Sequence, residues 1–446
     1  MKTEKCESLV ARDSKVIAPC QTLGYFPLAV ERYDGAIVTD ADGNEFIDFL
    51  SSASSMNLGG NHPVLTKVSH EQIDKYTQFT NAYVYNEKTI EYAEKLTSVY
   101  PGGVKAKIAF GNCGSDGNDA AVKFARAYTG RQKIIVFING YHGSTYGSAT
   151  MTTCSTKIHE KMGPFLPEIY AFPFYGIDVD DETCEKECIA DIERAFASYM
   201  PANEVAAVVI EPLQGDAGIL PAHPIFMKKL YDLCQKNGIL FISEEVQQGF
   251  YRTGKFFAIE HYGIVPDGII MGKSIGAGYP LGAFMAREDI MDCLPAPAHL
   301  FTLGANALAC AVGSAAFDVY QADEFQAELR DHTETLWAEA EALKEKHPEM
   351  VTFIRGKGMS MAIGLCDPAA PDDNQAAADA TFKVLYRAYE KGLIIIALAG
   401  NILRVQPPLI ISDDQIRKAF AILDESINEF KEGKISEEVF RYRSGW

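Results

Sequence analysis

The chain has 446 residues, 47% hydrophobic and 23% charged, and carries a formal net charge of −19. It is long and apolar enough for one large core or two domains, and its negative charge argues against nucleic acid and anionic membrane surfaces as partners. Met1 to Ala18 has no basic-then-apolar pattern, and no stretch reaches the roughly 18 apolar residues of a membrane span. The ten cysteines are scattered without metal-ligand spacing, so the expectation is a reducing cytoplasm and no zinc site.

Residues 1 to 24 carry no strong periodicity. Short strands are expected between Val30 and Leu50, parted by Asp34-Gly35 and Gly43-Asn44, both hairpin signals. Ser51 to Asn57 is small and polar and runs into Gly59-Gly60-Asn61-His62-Pro63. Helical spacing follows over 63–76 and 88–100. From Lys105 to Ala286 strands and helices alternate. The strands fall at 107–110, 133–138, 205–210, 239–243 and 268–271, the helices at 116–128 and 226–236. Such alternation implies a largely parallel sheet with helices on both faces, and ligands beyond the carboxyl ends of its strands. Helices are then expected at 305–320 and 325–346, strands near 351–354 and 359–364, a helix over 376–391, a strand at 393–396 and a last helix at 413–430. Residues 1–58 and 325–446 are assigned to one smaller domain, and 59–324 to a larger one.

The most telling stretch runs from Asp267 to Gly282. A buried strand ends at Gly272, Lys273 follows, and Gly276, Gly278, Pro280 and Gly282 force a sharp turn. A lysine at the mouth of a buried strand is poorly hydrated, which lowers its pKa and frees a nucleophilic amine able to form a Schiff base. Taken alone it could equally be a surface lysine. Its company decides. Gly111 to Asp119 closes one strand and opens a helix, an anion site in which Gly114 and Ser115 offer amides and a hydroxyl. Tyr141 follows another strand and can stack on a planar ligand. Glu211 and Glu244-Glu245 follow two more, and buried carboxylates need partners such as a protonated ring nitrogen. An amine for an aldehyde, a phosphate site, a stacking ring and a carboxylate together describe pyridoxal 5′-phosphate, PLP.

Over nearly its whole length the chain resembles the class III aminotransferases, within the fold type I PLP enzymes. The resemblance rests on Asp42-Gly43-Asn44, Phe110 to Lys123, Tyr141-His142-Gly143, Glu211-Pro212 to Gly218, Glu245 to Gly254, Lys273, Thr302 to Ala309, Arg355 to Gly358 and Arg404 to Pro408. It implies an α/β fold: a large domain with a mostly parallel central sheet between helices, and a smaller α+β domain from both chain ends. It also implies roles. Lys273 binds the cofactor's aldehyde and moves protons. Gly114 and Ser115 hold the phosphate. Tyr141 stacks on the ring, with His142 beside it. Glu244 meets the ring nitrogen, Val246 packs behind the ring and Gln247 reaches its hydroxyl. Thr302 serves the phosphate of a neighbouring subunit, which implies at least a homodimer and leaves a tetramer open. Arg404 holds the substrate carboxylate, with Tyr83 among the residues lining the substrate pocket. Two positions depart from the family pattern: Glu244 stands where aspartate is usual, and Gly60 replaces a histidine.

The reaction depends on Asp216. Many transaminases have glutamate there, whereas Gln214-Gly-Asp-Ala-Gly218 is similar to the racemase and epimerase branch, isoleucine 2-epimerase in particular. Further stretches share that likeness: Phe124 to Arg131, Tyr141 to Gly147, Ala296 to Thr302, Leu398 to Arg404 and the closing Gly445-Trp446. A racemase must return a proton to Cα from the face opposite the one that lost it, so it needs a second acid or base across from Lys273. Asp216 is the candidate; the alternative is that it pairs with Arg404. The expected activity is PLP-dependent inversion of Cα of a neutral or apolar amino acid. The alternatives are a glutamate/2-oxoglutarate-linked aminotransferase of the 4-aminobutyrate or ornithine type, and a non-catalytic relative, which the intact Lys273 argues against.

Overall fold

The computed structural model describes residues 1–443, so the Gly445-Trp446 pair lies outside the described residues. The chain divides into two compact units, Pro63–Gln321 and Met1–His62 with Ala322–Trp446.

The central unit is built on a seven-stranded sheet. Its strands run in the order Ala106–Gly111, Gly282–Arg287, Gly268–Met271, Leu240–Glu244, Val205–Ile210, Lys133–Phe137 and Ile169–Phe172. All pairs are parallel except the two made by Gly282–Arg287, which is antiparallel to both neighbours. Reversing that one strand leaves the other six pointing the same way, so their carboxyl ends share one edge. Four of the strands, Lys133–Phe137, Val205–Ile210, Leu240–Glu244 and Gly268–Met271, are buried along their whole length, as strands covered on both faces must be. The helix Gly114–Thr129 packs Ala120, Ala121, Phe124 and Ala125 against Val136, Val209, Ile242, Ile270 and Phe284 of the sheet, a stripe at helical spacing. Pro224 at the first helical position opens Pro224–Asn237, where its missing N–H costs nothing.

The other unit holds two four-stranded sheets. One joins Val30–Asp34, Ile37–Asp40 and Glu45–Asp48 with Leu393–Ile394; the other joins Val351–Lys357, Ser360–Leu365, Ile402–Val405 and Ile396–Leu398. The single strand expected at 393–396 is therefore two, split between the sheets. A capping box formed by Ser412 and Gln415 starts the helix Asp413–Lys431.

Two local features were not expected. The segment read as patternless carries a helix, Glu4–Asp13, whose first amides at Lys5 and Cys6 donate to the carboxylate of Asp42 at 3.0 and 2.8 Å. A cap 36 residues away leaves no local signal. Ser51 to Ser54 form a left-handed turn, with φ of 44°, 48°, 56° and 65°. Left-handed backbone costs a non-glycine residue roughly 1–2 kcal/mol. Asp48 holds the entry to this turn by accepting from the amides of Leu50 at 2.7 Å and Ser51 at 2.9 Å, and it is itself held by the Tyr33 hydroxyl at 2.6 Å.

Candidate active site

The loops leaving the common edge of the large sheet bring most of the predicted residues together. Lys273 follows the strand Gly268–Met271 after a single glycine, is half-buried, and adopts φ +49°. A non-glycine residue held in that region at the end of a fully buried strand is the kind of strain that functional sites store. Gly272 and Gly114 lie back to back beside Val246. A Cβ on Gly114 would sit 2.8 Å from Val246 Cγ1, and one on Gly272 would sit 2.9 Å from both the Gly114 Cα and Val246 Cγ1. The lysine loop, the helix start and Val246 close on one another only because neither glycine carries a side chain.

That helix start, Gly114–Thr129, has Cys113 before it and no side-chain cap. Asp116 accepts from the Asn112 amide at 2.7 Å, and Asn118 donates to the Gly114 carbonyl at 3.1 Å. Ser115 Oγ accepts from the Ser144 amide at 3.2 Å, which ties the helix start to the loop carrying Tyr141 and His142. Tyr141 is half-buried; its hydroxyl and that of Ser144 are 3.1 Å apart, and burial raises its pKa.

Glu211 stitches two loops together. Its carboxylate accepts from the Tyr141 amide at 2.9 Å and from the Gly215 amide at 3.1 Å. Burial outweighs those bonds and pushes its pKa up to about 7, with the charge of Asp216 adding to the rise and that of Lys273 opposing it. Glu244 is buried more unfavourably. It accepts from the Val246 amide at 3.2 Å, and burial, with Glu211 and Glu245 nearby, raises its pKa well above the ordinary value, while Lys273 again opposes. His142 is buried, and desolvation pushes its pKa down to about 4, so it is neutral near pH 7. Its Nδ1 has no hydrogen-bond partner among the described residues. Ligand atoms of His142, Glu211 and Glu244 all lie within 4.8 Å of one another. A neutral imidazole and two carboxylates beside a lysine form a buried acidic cluster whose ionised state needs a cation.

Asp216 sits at the tip of a small hairpin made by Leu213–Gln214 and Leu220–Pro221. It is half-buried, and its charge acts on Tyr141, Cys154 and Glu211. Gln247 reaches the connecting loop of the same hairpin, next to Asp216. A Cβ on Gly215 would lie 1.7 Å from Gln247 Oε1, which also accepts from Gln248 Nε2 at 3.1 Å.

Thr302 is exposed, and its carbonyl accepts from Gln78 Nε2 at 2.8 Å. Tyr83 is 83% exposed. Arg404 belongs to the other unit, where it is buried in the strand Ile402–Val405 with Nε donating to Gln406 Oε1. The bracing of Tyr141 by Glu211 spans 70 residues and has no signal in the sequence. Gln406 stands two positions beyond Arg404, just past the end of its strand at Val405.

The aminotransferase class-III family model matches residues 21–427. The chain is 37% identical to isoleucine 2-epimerase of Lentilactobacillus buchneri, over 100% of both chains. It is 34% identical to leucine/methionine racemase of Thermococcus litoralis, over 99% of both. An amine transaminase from an uncultivated Pseudomonas species, solved in its PLP-bound form, superposes with a TM-score of 0.82 at 25% identity, covering 93% of this chain and 97% of that one. The chain belongs to the class III aminotransferase family of fold type I enzymes, and pyridoxal 5′-phosphate is its cofactor.

Proposed function

We propose that this protein is a PLP-dependent amino-acid racemase or 2-epimerase that inverts Cα of a neutral or apolar amino acid, with Lys273 and Asp216 as acid and base on opposite faces. The end-to-end similarity to an epimerase and a racemase carries this reading. Similarity to an amine transaminase keeps amino transfer as the second reading.

The cofactor, when bound, supplies the electron sink that makes loss of the Cα proton affordable. The chain's own groups fit it. The uncapped helix start at Gly114 and Ser115 suits a phosphate, because free amides and the helix dipole favour an anion there. Glu244 suits a protonated ring nitrogen, a cation that would offset the desolvation now raising its pKa. Its extra methylene, relative to the family's aspartate, alters reach and keeps the charge. His142 suits a place beside the ring, where its buried Nδ1 lacks a partner among the described residues. Tyr141 is braced by Glu211 for stacking, Val246 packs behind, and Gln247 is assigned to the ring hydroxyl. Lys273, near two buried carboxylates, takes the proton from one side of Cα. Asp216, at its hairpin tip, returns one from the other. Arg404 is assigned to the substrate carboxylate and Tyr83 to the substrate pocket.

The wider assignments follow the same reading. Pro63–Gln321 is the cofactor-binding domain, and the other unit is the smaller domain. The protein works as a homodimer at least, with Thr302 serving the neighbouring subunit's phosphate. In support, Phe79, Tyr83 and Tyr85 are exposed apolar residues on a segment joined to exposed Thr302 and Leu303 through Gln78. The cytoplasm is the assigned compartment; all ten cysteines are unpaired, and no helix among the described residues is long and apolar enough to cross a membrane.

The test is incubation with an L-amino acid in heavy water without a keto acid. Racemisation requires solvent deuterium at Cα and accumulating D or allo product. Fast amino transfer to added 2-oxoglutarate without stereoinversion overturns the proposal in favour of the second reading. Asp216→Asn should lower inversion by about 10²–10⁴-fold, and unimpaired inversion removes Asp216 from its role.

A further inference from the structure

We infer that Gln406, anchored by Ser360, sets the plane of the Arg404 guanidinium and thereby determines how well the enzyme receives a substrate carboxylate. The inference rests on the assignment of Arg404 to that carboxylate. All three residues are buried, with Gln406 and Ser360 0% exposed and Arg404 3%. Arg404 pairs with Ala362 of the strand Ser360–Leu365 on one side and with Ile396 on the other. The chain leaves the strand at Gln406, whose amide donates to the Phe49 carbonyl at 2.9 Å and pins the backbone there. Arg404 Nε donates to Gln406 Oε1, and Gln406 Nε2 donates to Ser360 Oγ at 2.7 Å.

Donor chemistry fixes the order of this relay. Arginine has only donors, so the amide oxygen must face it; the amide nitrogen must then face the serine hydroxyl. Holding Nε stops rotation of the guanidinium about its last single bond. A planar fork pairs with a carboxylate through two parallel bonds only when its plane is correct, so the relay settles orientation before the ligand arrives. Glutamine does this without adding charge. A glutamate at 406 would accept from the same Nε and set a negative charge against the guanidinium, competing with any carboxylate ligand.

The experiment compares L-leucine with L-leucinamide, which keeps the amine and lacks the carboxylate. Binding of each to the holoenzyme is read from the change in cofactor absorbance. Gln406→Ala should weaken L-leucine about 10-fold and leave L-leucinamide within about twofold, and Gln406→Glu should weaken L-leucine by more. Ser360→Ala, which keeps the amide in place, should give a smaller shift in the same direction and serves if Gln406→Ala fails to fold. A general loss of structure would move both ligands together, so an unchanged leucine-to-leucinamide ratio in the Gln406 variants and in Ser360→Ala overturns the inference. Arg404→Ala separates the inference from its premise. If that variant leaves the ratio unchanged, the carboxylate assignment itself falls; if it collapses the ratio while the Gln406 variants do not, only the role of Gln406 falls.

Discussion

Glu244 and Glu245 are sequence neighbours, both buried at the end of one strand, and they face two different regions. Glu245 looks into the scaffold. It accepts from the Ser243 hydroxyl at 2.8 Å and from the amides of Ala258 and Ile259 at 2.8 and 2.9 Å, so it locks a distant turn to the strand end. Glu244 looks toward Lys273, Glu211 and His142, and accepts from one amide at 3.2 Å. Burial raises both pKa values: Glu245 to about 7, and Glu244 well above its ordinary value. The difference shows what each carboxylate is for. One has its partners within the chain and holds the fold. The other has a surplus of neighbouring acid, and a bound cation answers that need.

Three substitutions break or sharpen that contrast. Lys273→Ala should remove the cofactor's lysine-linked absorbance and lower turnover by about 10⁴-fold or more, while leaving the melting temperature near that of the parent. Persistence of the band would undo the lysine assignment. Glu244→Gln should cost about 10²-fold in kcat with little loss of stability, since it removes charge and keeps shape. Glu245→Gln should do the reverse, with kcat nearly unchanged per folded molecule. Its new amide N–H meets a backbone donor, and chemical denaturation should show a loss of about 2–3 kcal/mol. Equal effects of the two substitutions on kcat would dissolve the distinction.

A further test of the same carboxylate is pH dependence. Burial lifts the Glu245 pKa from 4.5 to about 7, so the folded state holds the proton more tightly than the unfolded state. That contribution is fully present below the unfolded value and is lost as pH rises through about 7. From pH 5 to pH 8 the parent should lose up to about 3 kcal/mol of stability that Glu245→Gln does not lose. Parallel stability curves for the two proteins would contradict the burial argument.

Much of this molecule was readable along the chain. The strand Gly268–Met271 and the helices following Cys113 and Ser412 follow from local rules: apolar runs and helix starts. Such signals survive in sequence because each needs only a few adjacent residues. The helix Glu4–Asp13 did not show, because its cap comes from Asp42. The left-handed turn at Ser51–Ser54 did not show either, because its entry is stabilised by a carboxylate that is itself fixed by Tyr33.

By itself, then, the sequence determined the alternation of elements and the family with its cofactor. Only the tertiary structure decided that one strand of the sheet is reversed, that Glu211 braces Tyr141, that Glu244 and Glu245 face opposite ways, and that Gln406 orients Arg404. The physical reason is common to all four. A residue's type fixes what it can donate, accept or ionise, but burial and partners brought from far along the chain fix which of those capacities is used.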